Sequence, residues 1–119
     1  MIRSESFRKA EHLVKTKDFR RAYKEGACFK KDAITLYALA NGSAGNRIGF
    51  AVSARHIKLA TGRNRIKRLF RETYRKTKKD LKKGFDIVLS VKRAPARSIK
   101  YGDAEKIFLE LAKRAGILA

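Results

Sequence analysis

The chain has 119 residues and a formal net charge of +20, which comes from 31 Lys and Arg against 11 Asp and Glu. Such self-repulsion opposes compaction and indicates a polyanionic partner. At 44% hydrophobic residues the chain is too apolar for a disordered basic tail, while no apolar run approaches the roughly 20 residues of a membrane-spanning helix. Cys28 is the only cysteine, which excludes an internal disulfide and a cysteine-rich zinc site.

Residues 1–14 are expected to form a flexible basic arm. Residues 1–6 lack the apolar stretch of a secretion signal, so we expect a cytoplasmic protein. His12 and His56 lie far apart and in no spacing typical of metal ligands. We therefore expect no metal-binding or catalytic role for either histidine.

A short helix is predicted directly after this arm. Thr16 is a suitable N-cap and Gly26 is a suitable C-terminal stop. Phe19 and Tyr23 are four residues apart and therefore lie on one face of this helix. The simplest role for two such rings is to anchor a core.

From Cys28 onward the pattern changes to short runs typical of β-strands. Residues 33–40 are predicted to form a strand with Ile34 and Leu36 on one face and Tyr37 on the other, together with Leu39. Residues 41–46 are rich in Gly, Ser and Asn and predict a loop. Residues 47–52 then predict a return strand, which would pair with the first in an antiparallel hairpin.

The longest helical pattern follows, with Thr61 as its predicted N-cap. Its apolar residues recur every three or four positions, so they face one side and can pack on a core. The remaining arc is basic, and Glu72 and Asp80 are too few to neutralise it through i,i+4 pairs. A solvated basic face is the simplest alternative, but the charge of the whole chain favours an external anion. The apolar positions are Ile66, Leu69, Phe70, Thr73, Tyr74 and Leu81, and the basic ones are Arg63, Arg65, Lys67, Arg68, Arg71, Arg75, Lys78 and Lys79.

Residues 85–91 predict a further strand, whose unbroken apolar run at residues 87–89 indicates an interior position in the sheet. The order strand, helix, strand favours parallel pairing across this helix. A last amphipathic helix is predicted between Asp103 and Gly116. The predicted fold class is α+β, with the order α-β-β-β-α-β-α and helices packed on a small mixed sheet.

This element order and the motif R-N-R-I-K-R-L-F-R-E at residues 63–72 together resemble the protein subunit of bacterial ribonuclease P. In that family the enzyme removes the 5′ leader of precursor tRNA, and the RNA subunit carries the catalysis. The resemblance runs from Asp18 to the last helix and implies a single RNA-binding domain over residues 1–119. It implies a subunit that binds the catalytic RNA and the leader, assists endonucleolytic removal of the leader, and contributes no catalytic residue. It also implies a left-handed β-α-β crossover, where the general rule predicts a right-handed one.

The resemblance also implies two sites, a surface for the RNA subunit on the basic helix and a cleft for the leader between the first helix and the sheet. Arginine suits the first task because its planar fork binds phosphate oxygens in pairs. Aromatic rings suit the second because they stack on any base. The surface for the RNA subunit would comprise Arg63, Asn64, Arg65, Lys67, Arg68, Arg71 and Arg75. The leader cleft would comprise Phe19, Tyr23, Tyr37 and Arg55.

One stretch departs from the family pattern. Where many members carry serine or alanine followed by two lysines, this chain has Ser53, Ala54 and Arg55. One cationic contact near the cleft is therefore missing, and Arg55 is expected to supply what remains.

The implied partners are ribonuclease P RNA and precursor tRNA, with one protein for each RNA subunit and with no obligate protein partner and no membrane. The resemblance implies no cofactor bound by the protein itself. It implies Mg²⁺ as an ion that the RNA-based holoenzyme requires.

Two alternative functions belong to other classes. A protein-only nuclease would need clustered carboxylates to hold metal ions, whereas Glu72 and Asp80 lie in the basic helix and Asp86 opens a strand. A structural RNA-binding module, such as a ribosomal protein, would carry the same surplus of positive charge.

Overall fold

The sequence patterns produce three helices and four strands within the residues that the computed structural model describes, which are 11–31, 33–55, 57–92 and 101–119. A short 3-10 turn, Lys78–Asp80, follows the second helix. This order confirms the predicted α-β-β-β-α-β-α arrangement and the α+β class. The helices are α1 (Thr16–Glu25), α2 (Ala60–Thr77) and α3 (Tyr101–Arg114), and the strands are β1 (Ala27–Lys31), β2 (Ile34–Ala40), β3 (Arg47–Val52) and β4 (Phe85–Val91).

The four strands form one mixed sheet in the order β1-β2-β4-β3. β2 pairs antiparallel with both β1 and β4, and β3 pairs in parallel with β4. The predicted interior position of β4 and its predicted parallel pairing across α2 are both confirmed. The handedness of this crossover stays a prediction.

The predicted hairpin between β2 and β3 is wrong, because β4 lies between these two strands. The two strands do run in opposite directions, as a turn-rich loop requires, but the loop at residues 41–46 passes over the start of β4. The amide of Asn41 donates to the carbonyl oxygen of Gly84, and the amide of Phe85 donates to Oδ1 of Asn46. β4 suits the interior place because residues 87–89 are apolar on both faces, and its side chains are buried from Asp86 to Val91.

The sheet separates two layers of helices. α2 and α3 pack on the face formed by alternate residues such as Leu36, Ile48 and Leu89, where Phe70 and Phe108 complete the main core. α1 covers the other face, where a smaller cluster contains Ala22 and Val88 among others. The predicted two faces of β2 are therefore confirmed. Within the described residues no helix is both long and apolar enough to cross a membrane.

Two helix boundaries differ from the sequence predictions. α1 begins at Thr16, with Lys15 at the N-cap position, and α2 begins at Ala60, with Leu59 at the N-cap position. The preference for hydroxyl-bearing N-caps is statistical, and both threonines lie inside the first turn instead. Gly26 ends α1 as predicted, and the position favours glycine because an added Cβ would lie 2.5 Å from the carbonyl oxygen of Ala22.

The predicted flexible arm covers residues 1–14, of which residues 1–10 lie outside the described residues. At residues 11–13 the structure differs from this prediction, because the segment is held by β3, α2 and the 3-10 turn. The amide of Leu13 donates to the carbonyl oxygen of Ile48 over 2.9 Å, and the Leu13 side chain is buried. Nζ of Lys78 and the hydroxyl of Tyr74 donate to the carboxylate of Glu11 over 2.9 and 3.2 Å.

Candidate nucleic-acid interface

The outer side of α2 carries two shallow grooves that share Arg68 as a common wall. The side chain of Asn64 is exposed, as is that of Arg68, while Arg65, Lys67 and Arg71 are half-buried. The grooves arise because residues three and four apart on a helix are neighbours. One groove is lined by Thr61, Asn64, Lys67, Arg68 and Arg71, and the other by Arg65, Arg68, Leu69, Glu72 and Lys76.

Arg63 has a different role from its neighbours in the motif. Its Nη1 donates to the carbonyl oxygens of Ile57 and Lys58 over 2.8 and 2.9 Å. These bonds hold the loop before α2, where Ile57 is buried in the main core. Part of the Arg63 guanidinium therefore binds groups of the protein itself, and the helical spacing of the motif does not show this.

Arg75 is paired with an acidic neighbour on the same helix. Its Nε donates to Oε1 of Glu72 over 3.1 Å, and its Nη2 contacts Oε2 of the same carboxylate. The hydrogen bond from Arg75 holds the pKa of Glu72 below its usual range. Arg75 thus offers less free charge to an external anion than Arg68 does.

The three aromatic residues predicted for the leader cleft lie together on the α1 face of the sheet. The ring centroids of Tyr23 and Tyr37 are 4.9 Å apart with the planes at 71°, and those of Phe19 and Tyr23 are 6.4 Å apart. Tyr23 is 41% exposed, and the other two rings are half-buried. A Cβ at Gly49 would lie 2.4 Å from Cζ of Phe19, so this ring rests directly on the backbone of β3.

The two tyrosines of this aromatic cluster are uncharged, which suits contact with the flat faces of bases. Burial raises the pKa of Tyr23, and burial followed by the nearby Cys28 thiol raises the pKa of Tyr37. Both phenols therefore stay neutral at physiological pH. Cys28 is exposed on β1 directly opposite Tyr37, a neighbour that the strand register identifies and the sequence spacing does not.

Arg55 lies apart from these rings in the chain. It is exposed three residues beyond the end of β3, in a loop whose start is fixed by the Ser53 amide donating to the carbonyl oxygen of Val91. His56 lies outside the described residues. Within the part of the chain that the structure describes, no three His, Cys, Asp or Glu side chains are grouped as metal ligands.

A cluster of ion pairs joins α1 to β3 and β4, on the side of α1 away from Tyr23. The sequence pattern did not reveal it. Nε and Nη2 of Arg47 donate to the two carboxylate oxygens of Asp86 over 2.9 and 2.7 Å, and Nδ2 of Asn41 adds a third bond over 3.0 Å. Nη1 of Arg47 also donates to Oδ2 of Asp18 over 3.4 Å. Arg47 and Asp86 lie side by side because they are partners in the parallel register of β3 and β4. Only this long-range strand pairing could have indicated the cluster.

A model of the ribonuclease P family matches residues 7–116 of this chain. The chain belongs to the ribonuclease P protein family. The ribonuclease P protein component of Clostridium botulinum strain Loch Maree is 37% identical over 110 residues, which cover 92% of this chain and 97% of that protein. The same component of Clostridioides difficile strain 630 is 36% identical over 112 residues, covering 93% and 96% of the two chains.

Solved structures of ribonuclease P proteins share the fold. The Staphylococcus aureus RNase P protein superposes with a TM-score of 0.81 at 27% identity, covering 93% of this chain and 100% of that one. The Thermotoga maritima RNase P protein gives a TM-score of 0.78 at 30% identity, with 87% and 96% covered. Membership of this family gives the chain the role of a protein subunit in ribonuclease P, an endoribonuclease of tRNA processing that also contains RNA.

Proposed function

We propose that this ribonuclease P protein binds the RNA subunit through the outer side of α2 and the 5′ leader of precursor tRNA through the cleft between α1 and the sheet. The RNA subunit then carries the chemistry, and the protein supplies charge and shape without a catalytic residue. The observation that carries the proposal is the pair of basic grooves that meet at Arg68.

The grooves suit a folded RNA because they present cations on both sides of one exposed arginine. A guanidinium donates through a planar fork that matches two phosphate oxygens, which a lysine cannot do. Asn64 beside it can donate to a 2′-hydroxyl or accept from one. Contacts of this kind give affinity and register on the RNA without reading a base sequence.

The cleft suits a single strand of variable sequence. Tyr23 presents a large exposed ring surface, and Tyr37 and Phe19 extend it across the sheet. Stacking on such rings is tolerant of sequence because every base has a π-face. Arg20 and Lys24, both exposed on α1, supply positive charge for the backbone of the strand.

We further propose one protein for each RNA subunit, with Mg²⁺ held by the RNA. Where the cations of α2 neutralise phosphates, the RNA needs less Mg²⁺ to fold and react. The protein's own residues bind and orient the two RNA molecules.

Arg68→Ala tests the surface for the RNA subunit. We expect its affinity for ribonuclease P RNA to fall about tenfold, and the slope of log K against log salt to become shallower by about 0.7 to 0.9 for each phosphate that the variant no longer neutralises. Lys106→Ala removes an exposed cation from α3 and is the matched control. An equal decrease in affinity for the two variants would contradict the assignment of α2.

A further inference from the structure

The attachment of α1 to the sheet depends on a few contacts. Of its ten residues only Asp18 and Ala22 are buried. The apolar contacts under the helix form the small cluster around Ala22 and Val88, to which Phe19 and Tyr37 are added at the edge. A short helix held by so little apolar surface needs another interaction to fix its rotation about its own axis.

The cluster of ion pairs supplies two contacts between α1 and the sheet. In one contact α1 provides the acidic side chain, and in the other it provides the basic one. On the sheet, Arg47 and Asp86 are neighbours in register and form a bidentate pair. On α1, Oδ2 of Asp18 lies 3.4 Å from Nη1 of Arg47, and Nη2 of Arg21 lies 4.0 Å from Oδ2 of Asp86. Asp18 of α1 thus pairs with Arg47 of β3, and Arg21 of α1 lies beside Asp86 of β4.

This arrangement selects one orientation of the helix. Asp18 and Arg21 are three residues apart and therefore adjacent on one side of α1. If α1 turned about its axis, Asp18 would leave Arg47 and Arg21 would leave Asp86. The cost falls mainly on Asp18, which is only 8% exposed and would lose its ion pair with Arg47, since a buried carboxylate requires its partners.

The same rotation sets the aromatic rings. A turn of about 20° moves an atom at the outer radius of a helix, roughly 5 Å from the axis, by about 2 Å. Such a shift is a substantial fraction of the 4.9 Å that separates the centroids of Tyr23 and Tyr37, so it would change their contact. The ring of Phe19 would also leave its place on Gly49.

We propose that the cluster formed by Asp18, Arg21, Arg47 and Asp86 is a positioning device for leader recognition. It holds α1 in the rotation that places Phe19 and Tyr23 beside Tyr37, and Asp18 is a positioning residue that acts through Tyr23. The two acids and two bases balance in charge, so the cluster contributes no net attraction to RNA. The inference rests on the proposed binding of the leader in this cleft.

Asp18→Asn is the most direct test, because it leaves the Arg47–Asp86 pair intact. In the reconstituted holoenzyme we expect affinity for precursor tRNA to fall about fivefold, with affinity for mature tRNA and for the RNA subunit unchanged. Glu110→Gln is the matched control, since it removes the 3.0 Å ion pair with Lys31 on the opposite face of the sheet. The control is expected to bind all three RNAs as the unchanged protein does.

A double-mutant cycle separates positioning from general loss of structure. If Asp18 acts through Tyr23, Asp18→Asn added to Tyr23→Ala lowers the affinity for precursor tRNA by less than twofold more. Fully additive effects would overturn the inference, as would an Asp18→Asn protein that binds precursor normally while Tyr23→Ala does not. A Tyr23→Ala protein with unchanged preference for precursor over mature tRNA would instead overturn the cleft assignment, and the positioning role with it.

Arg47→Lys keeps the test decisive if Asp18→Asn lowers the helical circular dichroism signal. Lysine retains the charge but lacks the fork that reaches Asp18 and Asp86 together. We expect a smaller decrease of the same kind, again less than additive with Tyr23→Ala. A protein that folds normally and has lower affinity for precursor and mature tRNA to the same degree would overturn the inference.

Discussion

The outer side of α2 and the cleft under α1 are built differently. All side chains of the α2 surface come from one helix, whereas the cleft takes two rings from α1 and one from β2 and rests Phe19 on β3. On α2 the helical period sets the spacing of charges that act over long distances. In the cleft the rings must remain within contact distance. Each cation removed from α2 should therefore lower the affinity for the RNA subunit by a part. In the cleft, a small displacement of one ring should already prevent leader binding.

The largest expected effect comes from replacing three arginines of α2 together. Arg65→Ala, Arg68→Ala and Arg71→Ala combined should weaken binding to ribonuclease P RNA on the order of 100-fold, because several phosphates are left without a cation at once. Filter binding across a range of salt concentrations measures this decrease in affinity.

The matched control replaces three exposed lysines, Lys83, Lys106 and Lys113, by alanine. It removes the same formal charge from other elements. If the control weakens binding as much as the arginine variant does, general charge and not the α2 surface is responsible for binding.

Gly49→Ala should disable the cleft without changing the outer side of α2. The added Cβ would lie 2.4 Å from Cζ and 2.8 Å from Cε1 of Phe19, so the ring must move. We expect about 2 kcal/mol lower free energy of unfolding from this overpacking, and a weaker preference for precursor over mature tRNA. Gly45→Ala is the control, since no described atom lies within 4 Å of its added Cβ. Unchanged precursor binding by a folded Gly49→Ala protein would argue against the cleft.

A smaller effect is expected from the pH dependence of stability. Burial raises the pKa of Asp86, but hydrogen bonds from Arg47 and Asn41 outweigh burial and hold this pKa below its usual range. A carboxylate of this kind stabilises the fold above the unfolded-state pKa of about 3.9 and loses that contribution as the pH falls through the lower folded-state pKa. Urea unfolding of Asp86→Asn below about pH 4 should therefore show a flatter pH dependence than that of the unchanged protein. Parallel curves would contradict this role of Asp86.

Much of the α2 surface could be predicted from the sequence, because one helical period determines it. The spacing that buries Ile66, Phe70 and Tyr74 also places Asn64 and Arg68 outside. What the period could not reveal is which cations already have internal partners. The bonds from Arg63 to the preceding loop reach carbonyl groups whose positions depend on the packing of Ile57.

The cleft could not be predicted from spacing alone. Its residues were indicated by a family resemblance, and their meeting depends on strand register and on the placement of α1. The turn signal at residues 41–46 correctly indicated that the chain reverses, but it could not show that β4 would enter between β2 and β3. The ion cluster depends on this same insertion, because the pairing of β3 with β4 places Arg47 beside Asp86.

The central claim is that two separate surfaces bind two different RNA ligands. Affinities for the RNA subunit, for precursor tRNA and for mature tRNA, measured for Arg68→Ala and Tyr23→Ala in the reconstituted holoenzyme, test it most directly. We predict that Arg68→Ala weakens binding to the RNA subunit and leaves the ratio of precursor to mature affinity unchanged. Tyr23→Ala should lower that ratio about tenfold, because one base can no longer stack, and leave RNA-subunit binding unchanged. If each variant changes both quantities alike, the two surfaces are not separate and the account is contradicted.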